Sequence, residues 1–436
     1  MITMEKKKPK LLERQYVVPF ILVTSCFAFW GFANDITNPM VKAFQKIFLM
    51  NAVQGSLVQV AFYGGYFAMA FPAAMFIRKF TYKAGLLVGL GLYATGALLF
   101  IPANAIGVYA PFLIAYFILT CGLSFLETSA NPYILSMGAE ETSTQRLNLA
   151  QSFNPIGSIT GMFVAKTFIQ ARLHQSSTAQ RELMSLEEFE AVKLHDLDVV
   201  SSPYVIIGIV ILVMFVLIAM ARMPVNADSN HTIDFIPTLR RIFSLPRYRE
   251  GVIAQFFYVG AQIMCWTFIV HYGTRLFMSQ GMGEQEAEVL SQQYNIVAMA
   301  LFIASRFIST LLMKFVKPGR LLMYFAFGGF ALVTGVIFFQ NIFGLYCLVG
   351  VSACMSLMFP TIYGIALRGL GEDAKFGAAG LIMAILGGSV MPPLQGAIIK
   401  KEIIFSIPAE NVSFVIPLIC FVVVAVYGYR TRTFAH

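Results

Sequence analysis

Charged side chains are scarce in this chain. Asp, Glu, Lys and Arg make up 12% of its 436 residues, against 58% hydrophobic, and the mean hydropathy is +0.73. A soluble domain carries about a quarter charged residues, so composition excludes a large soluble enzyme. The six cysteines, Cys26, Cys121, Cys265, Cys347, Cys354 and Cys420, all fall within or at the edge of apolar stretches. Their spacing fits no metal-ligand pattern and the longest non-cytoplasmic loop holds none, so no disulfide, metal site or cofactor is expected. HExxH, GxSxG and P-loop motifs are also missing, which leaves a membrane-embedded enzyme without a sequence basis.

What the chain does have is long apolar runs, such as residues 204–221. Spanning the hydrocarbon core takes roughly 20 mostly apolar residues, and continuous runs of this kind indicate helices rather than the alternating strands of a barrel. The pattern predicts an all-α polytopic membrane protein with twelve transmembrane helices. They begin near Tyr16, Ala52, Ala84, Val108, Leu147, Tyr204, Val252, Ser291, Leu321, Phe343, Phe376 and Val412.

The net charge of +9 is explained by where the cations sit. Lys and Arg cluster at residues 6–14, at Arg78, Lys79 and Lys83, between Arg240 and Arg249, at Lys314, Lys317 and Arg320, and at Arg430 and Arg432. The loops on the other side are poorer in them, and those after Ile101 and Gln340 have none. The positive-inside rule then puts both termini in the cytoplasm, with the lipid bilayer rather than nucleic acid as the partner of this basic chain. Residues 1–15 read as a cytoplasmic basic leader, since the apolar segment after them is too long for a signal-peptide core.

Two polar segments interrupt the spans. Residues 171–202, rich in Glu and Asp, form an outside loop in this topology. Residues 224–248 form a cytoplasmic linker between six-helix halves at 16–223 and 249–436. A weak repeat supports the division: Lys79-Phe80 with Leu86-Leu87 matches Lys314-Phe315 with Leu321-Leu322 at a constant offset of 235 residues. Parallel six-helix repeats are the architecture of major-facilitator carriers.

Ionisable residues within spans mark function or a helix-packing partner. Asp35 lies late in the first span and Glu127 inside the fourth. A carboxyl facing a poorly hydrated cavity can take up and release a proton, as a proton-coupled carrier needs; the alternative is a carboxylate held by a neighbouring helix. Arg306 and His271 read as packing or interface residues. Asn148, Gln151, Asn154 and Ser158 share one face of the fifth helix, and Gln255, Tyr258, Gln262 and Trp266 one face of the seventh. Amides can both donate to and accept from sugar hydroxyls, and an aromatic ring can lie against a sugar's apolar face. Inter-helix hydrogen bonding is the other use of such stripes.

At these residues the sequence resembles the fucose–galactose–hexose proton symporters of the major facilitator superfamily. The resemblance covers nearly the whole chain. It is carried by Gly122-Leu-Ser-Phe-Leu-Glu127-Thr-Ser-Ala-Asn-Pro132, Arg146-Leu-Asn-Leu-Ala-Gln-Ser-Phe-Asn154, Tyr258-Val-Gly-Ala-Gln262 with Cys265-Trp266, Phe359-Pro-Thr-Ile362 and Leu370-Gly-Glu-Asp-Ala-Lys-Phe-Gly377. It implies a sugar site between the halves, a bacterial inner-membrane location and a monomer. It further implies import of L-fucose or a related hexose with protons by alternating access, with a glucose or galactose carrier, Na⁺ coupling or uniport as alternatives. The family's proton-coupling glutamate falls on Glu127, and its sugar-cavity Gln and Asn fall on Gln151 and Asn154. Its first-helix aspartate falls on Asn38, while an acid stands three residues earlier at Asp35. That is about 4.5 Å along the axis and roughly on the same face, so Asp35 either stands in for the acid or is an altered sugar ligand, and Asn38 is expected to contact the sugar.

Overall fold

A computed structural model describes residues 10–37, 40–50, 52–55, 57–176, 178–224, 235–399, 401, 403–404 and 407–433. It is almost wholly helical. In chain order the helices are α1 (Val17–Thr37), α2 (Met40–Ile47), α3 (Ala52–Gly55), α4 (Leu57–Lys79), α5 (Tyr82–Leu98), α6 (Phe100–Ile106), α7 (Tyr109–Ser136), α8 (Ser143–Gln151), α9 (Asn154–Val164), α10 (Thr178–Glu182) and α11 (Leu186–Met220). There follow α12 (Phe235–Ser244), α13 (Pro246–Ser279), α14 (Glu284–Leu312), α15 (Pro318–Phe338), α16 (Ile342–Met355), α17 (Met358–Leu367), α18 (Ala374–Met383), α19 (Gly387–Ile399), α20 (Ala409–Ser413) and α21 (Val415–Thr431). One two-stranded hairpin, β1 (Ile403–Ile404) with β2 (Ile407–Pro408), precedes α20.

Among the described residues eleven helices are long and apolar enough to cross a membrane. The fifth expected span is in pieces: α8, α9 and a π-helical turn at Ala165–Gln170. Its first break follows from the sequence. Pro155 has no N–H, so the carbonyl four residues back, on Gln151, loses its helical donor. Yet Ser152 and Phe153 keep right-handed helical dihedrals. The break is one of hydrogen bonding.

Two of the polar segments contain helix. The polar segment 171–202 is not all loop, since α11 already starts at Leu186. Ser185 caps it by accepting from the Glu188 amide at 3.3 Å, the Ser-x-x-Glu pattern of a capping box. Likewise α12, and α13 from Pro246, lie within the stretch assigned to the linker.

Contacts divide the chain into two compact units. One comprises Gln15–Tyr133 with Phe153–Ile233. In it α1 packs on α9 along glycines: side chains at Gly31, Gly157 and Gly161 would strike the backbone of Asn154, Ala28 and Phe32, the small-residue packing that membrane helices favour. At another level Phe44, Phe100, Phe112, Tyr116 and Tyr204 form an aromatic cluster. Beside α11 the chain after the fifth span is tied down by a fully buried ion pair, Arg181 to Asp196 at 2.5 Å, and by the Lys46 ammonium on the His174 carbonyl at 2.9 Å.

The other unit comprises Ile134–Ser152 and Asp234–His436, with Met1–Arg14. Here α13 is the central helix, packed by α14, α16, α17, α19 and α21. α8 lies against α17 and α14. Buried Arg146 fastens the turn before α8 to the end of α7, donating to the carbonyls of Leu135 and Ala139 at 2.9 and 3.0 Å.

Candidate functional site

Glu127 is the centre of the first unit's polar residues. It lies on α7, 2% exposed, and among the described residues neither carboxyl oxygen has a hydrogen-bond partner. A buried carboxyl left this way is unusual, because buried polar groups are nearly always paired. Its setting is fixed from α4: Ser124, one turn before it, donates to the Tyr66 carbonyl at 3.1 Å. Tyr66 is close enough to feel the charge of Glu127 and is adjacent to Trp30 and Tyr63. Tyr63 in turn feels the charge of Asp35, which is half-buried at the end of α1. Two tyrosines three residues apart on one face of α4 thus each lie near one of the two acids.

Sequence reasoning passed over Tyr63 and Tyr66 because tyrosine counts as apolar in a hydropathy reading. Their spacing of three, level with acids on other spans, was the available signal. Asn38 lies outside the described residues.

The fifth-helix stripe separates into different uses. Asn154 donates to the Phe27 carbonyl at 3.2 Å, and Ser158 reaches the Gly31 carbonyl at 3.5 Å. Asn148 bonds Thr361 Oγ1 at 3.2 Å. Gln151, 2% exposed, occupies the last turn of α8.

On α13, Tyr258 is buried and donates to the Met355 carbonyl at 3.1 Å, where α16 gives way to α17. Trp266 is half-buried; its indole N–H donates to Ser352 Oγ at 3.2 Å, and its ring meets Phe302 edge-on at 5.0 Å. Gln262 is half-buried and makes no side-chain hydrogen bond among the described residues. Its amide can therefore take a ligand hydroxyl without breaking a protein contact.

The sequence profile of the Major Facilitator Superfamily matches residues 22–394. The chain belongs to this superfamily. Within it the sequence is 52% identical over 427 residues to the L-fucose-proton symporter of Haemophilus influenzae, covering 97% of this chain and 98% of that one. It is 34% identical to the L-fucose-proton symporter of Escherichia coli, over 96% and 94% of the two chains. The glucose/galactose transporter of Brucella abortus is 30% identical, over 95% and 94%. Among solved structures, the superfamily transporter FucP in its outward conformation is 33% identical, covers 96% of this chain and all of its own, and superposes with a TM-score of 0.86. The expected twelve-helix major-facilitator fold holds, with the fifth span in pieces, and the relatives are transporters rather than enzymes.

Proposed function

We propose that this chain is a proton-coupled symporter that imports L-fucose, or a closely related hexose, by alternating access. The observation that carries the reading is Glu127: a buried acid with no partner among the described residues, in a chain half identical to a curated L-fucose-proton symporter. A bare carboxylate is costly to move through an occluded apolar state. Glu127 takes up a proton when sugar binds and gives it up on the other side, with Asp35 as a second acid on the route. Gln151, Asn154, Tyr258, Gln262 and Trp266, together with Asn38, contact the sugar.

The chain works as a monomer in a bacterial inner membrane with both termini in the cytoplasm, a placement supported by the cation-rich loops. Its working halves are residues 16–223 and 249–436, joined by 224–248 and preceded by the basic leader 1–15. The Brucella relative favours a second reading, a glucose or galactose carrier of the same mechanism.

External pH during sugar addition to de-energised cells tests both readings. Alkalinisation with L-fucose supports the first. Alkalinisation with D-glucose or D-galactose alone moves the assignment to the second, and silence with all three sugars refutes proton symport of these substrates.

A further inference from the structure

Arg306 lies on α14 and is 3% exposed. Its Nη1 donates to the Gln151 carbonyl at 2.9 Å, and its Nε donates to the Ser356 carbonyl. The guanidinium also lies over the Phe302 ring, 4.5 Å from the centroid. Among the described residues no carboxylate pairs with it.

Both carbonyls have the same origin. Gln151 precedes Pro155 by four residues and Ser356 precedes Pro360 by four. In a helix that position is bonded by the N–H four residues on, and proline has none. Two breaks, one between α8 and α9 and one between α16 and α17, each leave a buried carbonyl without its helical donor. A single guanidinium serves both. The planar fork, with its five N–H donors, suits two acceptors on different helices, whereas an ammonium is a point donor.

The same face of α8 is secured one and two turns earlier. Asn148 donates to Thr361 Oγ1 at 3.2 Å, and Gln145 donates to the Thr310 carbonyl at 2.9 Å. Positions 145, 148 and 151 recur every three residues, so one edge of the helix is attached to α14 and α17, with Arg306 at its last turn.

We propose that Arg306 is a positioning residue for sugar binding. By capping the carbonyl that Pro155 leaves open, it fixes the end of α8 and hence the side chain of Gln151. The inference rests on Gln151 being a sugar ligand, as proposed above.

The test is equilibrium binding of radiolabelled L-fucose to the full-length purified chain, with thermal unfolding measured on the same preparations. The variants are Arg306→Met, Arg306→Lys, and Arg306→Met combined with Pro155→Ala. The Met variant is expected to bind about tenfold more weakly, and Lys to recover part of the loss. Adding Pro155→Ala is expected to restore affinity to within about threefold, because this substitution returns the backbone N–H that proline removes. A folded Met variant with unchanged affinity overturns the proposal. So does a loss that Pro155→Ala leaves in place, since the arginine then serves something other than that carbonyl. Gln151→Ala that binds L-fucose like the parent refutes the ligand reading, and with it the positioning role. If the parent binds no L-fucose, the transport reading falls instead, and thermal unfolding decides the capping: a lower midpoint for Met that Pro155→Ala restores upholds it, and an unmoved midpoint overturns it.

Discussion

In the proposed mechanism Glu127 carries the coupled proton, and Glu127→Gln isolates it. Glutamine has the size of a protonated glutamate and cannot ionise, and among the described residues neither oxygen of Glu127 has a partner that the exchange would break. One such acid couples one charge. At about 100 mV of driving force that charge is worth about 2.3 kcal/mol, or about fiftyfold accumulation at roughly 1.4 kcal/mol per factor of ten. In proteoliposomes with an imposed proton gradient, the parent chain is expected to concentrate L-fucose toward that ratio and the variant to stop near equality. Counterflow, which exchanges sugar for sugar without net proton movement, is expected to continue in the variant. The exchange replaces one unpartnered buried polar group by another, and unfolding is measured alongside to separate lost coupling from lost fold. A stable variant that still concentrates sugar would refute the assignment of the proton to Glu127.

Other perturbations follow from the packing. Gly157→Leu places a side chain against the Ala28 backbone; it is expected to abolish folded protein, and a normal size-exclusion profile would contradict the close α1–α9 seam. Arg181→Ala takes the guanidinium from the fully buried Asp196, which keeps the His174 N–H and the His195 ring as partners. It is expected to cost about 3 kcal/mol, the low end for a broken buried pair, read as a fall in unfolding temperature that adding Asp196→Ala partly reverses. Ser185→Ala removes the α11 cap and is expected to cost about 1 kcal/mol, with sugar uptake unchanged; hydrogen exchange faster at residues 186–189 alone would locate the effect.

Hydropathy made the spans legible because the bilayer acts on sequence directly: each crossing must be apolar for about 20 residues. It could not place the start of α11. Residues 186–203 carry charges and lie in a stretch where water competes for the surface, so helix formation there depends on the Ser185 cap and on the Arg181–Asp196 pair. Glu127 was legible because an acid inside an apolar run is conspicuous. Its tyrosine neighbours were not, since their role comes from three helices meeting. By hydropathy the fifth span reads as one helix, because Pro155 does not interrupt the apolar run that it breaks in hydrogen bonding. What served the carbonyl it freed was visible only in three dimensions, because the donor lies 155 residues further along the chain.

The glycine seam between α1 and α9 has a mechanical consequence. With no side chains between the two backbones there are no rotamers to readjust, and sliding one helix past the other would drive carbonyls into Cα atoms. The pair behaves as a single beam. Trp30 and Asp35 on one member and Asn154 on the other then keep a constant spacing through every step of a transport cycle. If these helices line the sugar site as proposed, a change of sugar preference there has to come from exchanging side chains, because the beam holds the register of the two helices fixed.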